Sequence, residues 1–468
     1  VSARNYRYWP IFRGGETRTG AVSAGNVSAP RDHRLLAGQG KVTMAQQQLI
    51  RKSIVVLALL WMAPAHAYDY PIADPFLATV VGTPAPLKAP LPEDVPFRQS
   101  SIRVLEREAP DIFWYDQELR YSYAAQPGPA PLVFLIAGTG AAHNGSKNLL
   151  AARAYYSRGY HVVLLSSPVT ANFIVAASAS GIPGDASADA ADLYLAMQKI
   201  RDRLSDKLEI TGYSLSGYSL GAFNAAYVSH LDAQKKVFNF QKVVMMNPPV
   251  RLYTSISLLD RMLDNIPGGA DNFDRFYEQL VSAVGAAYKT SETVRFDEEL
   301  LFKAFETLRP TNELLAALIG VVFRVSSANM VFTADVVTNF GFIKPTNVRV
   351  NRYTDTGVYA EVAMRLGFTD YFHAFFYPYQ QSLEPGLTRS ELIERMSLNT
   401  ISDYLSKADN VFVVHNADDL ILEPGEIQTL QQIFGNRATI FPRGGHMGNM
   451  ESYDYIDTVL NIMNAPVP

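Results

Sequence analysis

Cysteine is absent from all 468 residues. That excludes disulfides, a thiol nucleophile, thiolate metal sites and a lipid-modified N-terminal cysteine. A basic excess is also missing, since the formal net charge is -4. The chain therefore carries no positive field of the kind that non-specific nucleic-acid binding relies on, and nucleic acid is not an expected partner. No fixed-period repeat points to a solenoid. No His/Asp/Glu cluster has metal-ligand spacing, so no metal is expected. Two apolar runs stand out, Ile54 to Ala63 and Leu314 to Phe323. Both are too short to span a bilayer.

What is present divides the chain. Nearly half of the residues are apolar, enough for a substantial core in more than one compact unit or in one large domain with an insertion. In "MAQQQLIRKSIVVLALLWMAPAHAYDY", Arg51 and Lys52 precede the first apolar run, and Ala65 to Ala67 offer small residues for cleavage. This predicts a signal peptide over residues 44–67, cut after Ala67, and a periplasmic or secreted protein. Residues 1–43, ahead of Met44, read as an over-extended, disordered N-terminus. Residues 68–100 read as a proline-rich arm, because "TPAPLKAPLPEDVPF" holds too many prolines for a helix or a central strand.

From there, short apolar runs alternate with segments of helical composition: "PLVFLIAG", "YHVVLLSS", "KLEITGY", "KVVMMNPPV", then "NVFVVHNADD" and "RATIFPRGGH". The alternation predicts a mostly parallel sheet with helices on both faces, built from residues 101–250 and 409–468. Residues 251–408 lack such runs and read as a helical cap. Within it, "LLAALIGVVF" is a buried helix or a surface-seeking lid, with core packing the expectation.

The stretch "KLEITGYSLSGYSLGAFNAA" contains two serines in similar surroundings, Ser214 and Ser219. A nucleophile at a strand-to-helix elbow needs very small residues two positions away on either side. Gly217-Tyr218-Ser219-Leu220-Gly221 fits this pattern literally. Ser214 instead follows directly on the strand-like "LEITGY", with Gly212 before it and Ser216 after it. Continuing the strand through "SLSGY" would place serines and a glycine in a buried sheet. Ser214 is therefore the expected nucleophile, and Ser219 the alternative.

A serine hydroxyl needs a histidine to take its proton and an acid to orient that histidine. His446 lies in the glycine-rich "FPRGGHMGNM", and Asp418 and Asp419 lie at the tip of "VFVVHNADDLIL". Asp419 is the expected acid and Asp418 its alternative. "AGTGAAHNG", leaving the first long apolar strand, can supply an N–H donor for an oxyanion at Thr139, with Leu215 as the second donor. The same segment begins a dinucleotide-binding pattern, but His143 stands where its third glycine should be.

Taken in order, "PLVFLIAGTG", "ITGYSLSGYSLGAFNAA", "VFVVHNADDLIL" and "FPRGGHMG" resemble the oxyanion strand, elbow, acid strand and histidine loop of the α/β-hydrolase superfamily. Ser216 at the elbow and Ala137 before the oxyanion glycine depart from the pattern of many members. The resemblance implies an α/β fold with an eight-stranded sheet, a cap inserted before the acid strand, and serine-hydrolase chemistry of the esterase or lipase kind that needs no cofactor. The implied partner is a small-molecule or lipid ester, with membrane-surface contact left open. A peptidase or amidase with the same triad, and a non-catalytic binding protein on the same fold, are the competing readings. His415 reads as a satisfied core group, and His143 as core or site entrance. "DYFHAFFYPYQ", around His373, reads as cap core.

Overall fold

In the computed structural model, residues 68–289 and 310–465 are described. The expectations for residues 1–43 and for a signal peptide over 44–67 lie outside them. Eight strands form one sheet: β1 (Arg98–Ile102), β2 (Leu119–Ala124), β3 (Ala130–Ile136), β4 (His161–Leu165), β5 (Ile210–Tyr218), β6 (Val243–Met246), β7 (Val411–Asn416) and β8 (Ala438–Phe441). Their order is β1-β2-β4-β3-β5-β6-β7-β8. β2 runs antiparallel to both β1 and β4, and every other pairing is parallel. This is the expected α/β-hydrolase architecture.

Burial on both faces explains why the central strands read as continuous apolar runs. Along β3, Leu132, Phe134 and Ile136 join one core with Leu215, Phe223 and Met245. Val133 and Leu135 join another with Val162, Leu164, Tyr155 and Leu460. Helices Ala186–Ser205 and Leu220–Lys235 cover the first face. Helices Ser146–Ser157 and Tyr453–Asn464 cover the second.

The described part of the insertion between β6 and β7 is helical, as expected, and its longest described helix runs from Asn312 to Thr338. "LLAALIGVVF" is only the first part of this helix. At 27 residues the whole helix is long and apolar enough to cross a membrane by length and composition, contrary to the reading of the short run alone. Half of its most apolar window is nevertheless buried inside the protein, and a core helix passes the same test. At Gly320 a Cβ would lie 2.9 Å from the Leu263 nitrogen, so the helix packs tightly on the backbone of its neighbour.

The segment read as a proline-rich arm is docked over much of its length. From Tyr68 onward the chain forms one compact unit. Asp74 caps a helix over Pro75–Val81, with proline at its tolerant first position. Tyr70, Ile72, Ala78 and Val81 are buried. The prolines that follow rule out a long helix but not docking.

Candidate active site

β5 does not end at Tyr213. It runs to Tyr218, and Ser219 forms the turn into helix Leu220–Lys235 at φ 54°, ψ -126°. A non-glycine residue there carries strain of about 1–3 kcal/mol, which the surroundings must impose. They do so through two close approaches. A Cβ on Gly217 would sit 2.3 Å from the Gly221 carbonyl oxygen, and one on Gly221 would sit 2.1 Å from the Ile136 oxygen. The Ser219 N–H is tied to the Met246 carbonyl at 2.8 Å. These are the steric demands of the literal G-x-S-x-G pattern.

The expectation of Ser214 as nucleophile is therefore corrected. Ser214 lies inside β5 opposite Val133 and is 1% exposed. The register between β3 and β5 shifts just before it, so Gly212 marks a β-bulge and not an elbow. The serine that argued against a continuing strand has partners: Tyr155 donates to Ser216 Oγ (2.9 Å), which donates to the Val244 carbonyl (2.9 Å). Ser214 and Ser216 alternate with Leu215 along the strand, and Ser216 leaves room for Tyr155 on that face.

Leu215 fails as an oxyanion donor because its N–H is spent on the Lys242 carbonyl (2.9 Å) within the sheet. Leu220, the residue after Ser219, is the candidate for that place. It opens the helix after Ser219, where first-turn N–H groups have no intrahelical acceptor. Thr139 is retained. It shares the wall of one cavity with Ser219 and His446, and a Cβ on the preceding Gly138 would lie 3.1 Å from Ser219 Cβ.

The other two expected residues meet Ser219. The Ser219 hydroxyl donates to His446 Nε2 (2.9 Å), and His446 Nδ1–H donates to the Asp419 carboxylate (3.0 and 3.1 Å). Asp419 also accepts from Asn247 Nδ2 (2.8 Å) and the Ile421 N–H (3.1 Å). Burial pushes the Asp419 carboxyl up, but His446, His415 and the Asn247 hydrogen bond together hold it below the usual range. Asn247 is itself fixed by Tyr455, whose hydroxyl donates to its Oδ1 (2.8 Å). At φ 48°, Asn247 occupies the left-handed region that asparagine tolerates better than most residues.

Asp418, the alternative acid, holds the loop and not the imidazole ring, accepting the N–H groups of Gly444 (3.1 Å) and Gly445 (2.9 Å). The arm holds the same loop from the other side. The His446 N–H donates to Thr79 Oγ1 (2.8 Å), whose hydroxyl donates to the Pro75 carbonyl (2.7 Å). A Cβ on Gly445 would lie 2.3 Å from Pro75 O, and one on Gly448 would lie 2.1 Å from Ala78 O. Thr83 and Tyr68 donate to the Gly448 and Arg443 carbonyls, each at 2.8 Å. Thr79 and Asn247 were missed in the sequence. Neither belongs to a local motif, and only a polar residue before a Pro-Pro pair marked Asn247.

Ser219 and His446 open into a cavity of about 550 Å³ walled by Leu318, Ile319 and Val322 of the long cap helix. His143 does not line it. His143 is buried, paired with Ser122 Oγ (2.7 Å), and pushed down to about 4 by burial. His415 is a satisfied core group, bonded to the Pro248 carbonyl at 3.0 Å. The aromatics around His373, namely Tyr371, Phe372, Phe375 and Phe376, are cap core, while His373 pairs with the Tyr253 hydroxyl (2.8 Å). No group of metal-ligating side chains occurs among the described residues.

No protein-family model matches the chain, and no curated protein matches it by sequence. Among solved structures it is similar to the thioesterase domain from the curacin biosynthetic pathway, with 12% identity, 79% of this chain and 99% of that one covered, and a TM-score of 0.35. It is also similar to an esterase from Pyrococcus furiosus, with 9% identity, 80% and 92% covered, and a TM-score of 0.38. An acylaminoacyl peptidase from Pyrococcus horikoshii aligns at 10% identity over 78% of this chain and 39% of that one, with a TM-score of 0.37. At such values the fold assignment rests on this chain's own strand order and elbow.

Proposed function

We propose that the protein is a serine hydrolase that cleaves carboxylic esters with apolar substituents through an acyl-enzyme on Ser219. The observation that carries this reading is the unbroken hydrogen-bond chain Ser219–His446–Asp419, set at a strained elbow and facing an apolar cavity. Ser219 Oγ attacks the ester carbonyl while His446 Nε2 takes its proton. The oxyanion is met by the N–H groups of Thr139 and Leu220, each such donor commonly worth about a hundred- to a thousandfold in rate. His446 then gives the proton to the departing alkoxide as the C–O bond breaks. Water, deprotonated by the same nitrogen, releases the acid. Asp419 keeps Nδ1 protonated, so that Nε2 presents its lone pair to Ser219. Residues 44–67 add the proposal that this chemistry takes place after export.

The test is labelling of the protein from Tyr68 onward with a fluorophosphonate, followed by peptide mapping. The adduct is expected on Ser219, retained in Ser214→Ala, and lost in both Ser219→Ala and His446→Ala. An adduct on Ser214, or none in folded protein, would overturn the reading, and the second result would favour a binding protein on the same fold. Hydrolysis of acyl-amide but not ester substrates would move the activity to the peptidase class.

A further inference from the structure

Resting on the Ser219 reading, we propose that Phe323 divides the substrate site into two cavities, a narrow one for the acyl group and a wide one for the alcohol. The enzyme then selects short-chain acyl esters of bulky apolar alcohols.

The direction of the substrate follows from the proton. The leaving oxygen must collect its proton from His446 Nε2, so the alcohol lies on the histidine side. The wide cavity is on that side: its walls include His446, Met447 and the arm residues Thr79 and Val80. With the oxyanion held between the Thr139 and Leu220 N–H groups, the acyl carbon chain must leave the other way. A second, apolar cavity begins there. Thr139 and Leu220 line it, and neither Ser219 nor His446 does. Its free space is about 40 Å³, room for roughly three water-sized groups. That suits an acetyl to butyryl tail and excludes a long one.

Thr139 and Phe323 belong to the walls of both cavities. Phe323 is 8% exposed, and its ring centroid lies 4.5 Å from that of Phe368, which fixes it as a partition. Beyond it, Met330, Phe372 and Met396 close the narrow cavity around one acidic side chain, Asp189, which accepts the Gly184 N–H at 3.0 Å. A buried carboxyl in that wall opposes extension of an apolar tail in the same direction.

The experiment compares kcat/KM for 2-naphthyl acetate, butyrate and octanoate, and for ethyl against cyclohexylmethyl butyrate, whose alkoxides leave about equally well. Wild type is expected to lose more than about tenfold from butyrate to octanoate and to favour the cyclohexylmethyl ester. Phe323→Ala should raise the octanoate-to-butyrate ratio by about tenfold or more, and Phe323→Leu by less, which covers the case in which the alanine variant does not fold. A wild-type rate that climbs to octanoate would overturn the partition, as would an unchanged ratio in a folded Phe323 variant. Fluorophosphonate labelling of Ser219 in the same samples separates the two proposals: a label with the wrong chain-length profile sinks only the partition, and its absence sinks the hydrolase reading itself.

Discussion

Two segments border the cavity at Ser219, and they are fastened in different ways. The arm, Tyr68 to Phe97, meets the histidine loop through polar backbone contacts: the Thr79 hydroxyl, the Thr83 hydroxyl, and two glycines that leave no room for a side chain. The cap meets the body over a shared apolar core, beside a few hydrogen bonds such as those from Tyr371 to the Pro183 carbonyl (2.8 Å) and from Ser255 to the Ile421 carbonyl (2.6 Å). Phe323, Phe368, Phe372 and Phe376 share one core with the sheet residues Ile136 and Leu215. Hydrogen bonds have direction, and apolar contact does not. The arm can thus hold the backbone of His446 in one orientation, while the cap shapes a volume. Changes in the arm should act on kcat, and changes in the cap on which substrate is taken.

The sharpest way to break that distinction is Gly445→Ala. The residue sits at φ 55°, and its new Cβ would collide with the Pro75 carbonyl. Misplacement of His446 by about 1 Å should cost a hundredfold or more in kcat, measured in steady state beside a thermal melt that shows folded protein. Next comes Thr79→Val, which removes the acceptor of the His446 N–H. A loss of about 1–3 kcal/mol corresponds to a fall of roughly ten- to a hundredfold in kcat with little change in KM, and Thr79→Ser should restore most of it. If KM rises while kcat holds, the arm is a wall and not a brace.

On the cap side, Leu318→Ala should leave kcat nearly unchanged and raise KM for apolar esters by several-fold, about 1 kcal/mol of lost contact. An equal loss in kcat would erase the contrast. The smallest effect on turnover belongs to the body beneath both segments, where pH acts on stability instead. His143 is held neutral down to about 4, whereas the unfolded chain takes up that proton near 6.5. The unfolded state therefore binds more protons, and stability falls as pH drops from about 6.5 toward 4, by on the order of 3 kcal/mol from this group. Asp192, raised to about 6 by burial, acts oppositely, since its native form gains a proton first as pH falls, and it offsets part of that loss. Because other buried carboxyls such as Asp189 are raised as well, urea melts of wild type and His143→Gln between pH 7 and pH 4.5 would isolate the histidine, and a stability difference that does not change with pH would sink the assignment.

What could be read in advance was whatever depends on neighbours in sequence. β3 and β4 announced themselves because burial on both faces demands unbroken apolar runs. Asp419 and His446 were legible because each follows such a run in a turn-rich stretch. The serine was misplaced because the end of β5 is decided elsewhere: by Tyr155 and Val244, which satisfy Ser216, and by Ile136, which crowds Gly221. The docking of the arm was not legible for a similar reason. Proline excludes some structures locally, but it cannot announce a partner hundreds of residues away.

Thr79 and His446 are 367 positions apart, and Tyr68 and Asn449 are 381 apart. A ribosome releases the first of each pair long before the second exists. On the proposed function, a nascent chain that stops short of the histidine loop lacks its base, whatever else has already folded. Contacts at such separation form slowly, because the loop they close must be ordered first. The proposed triad is complete only when both ends of the domain have met.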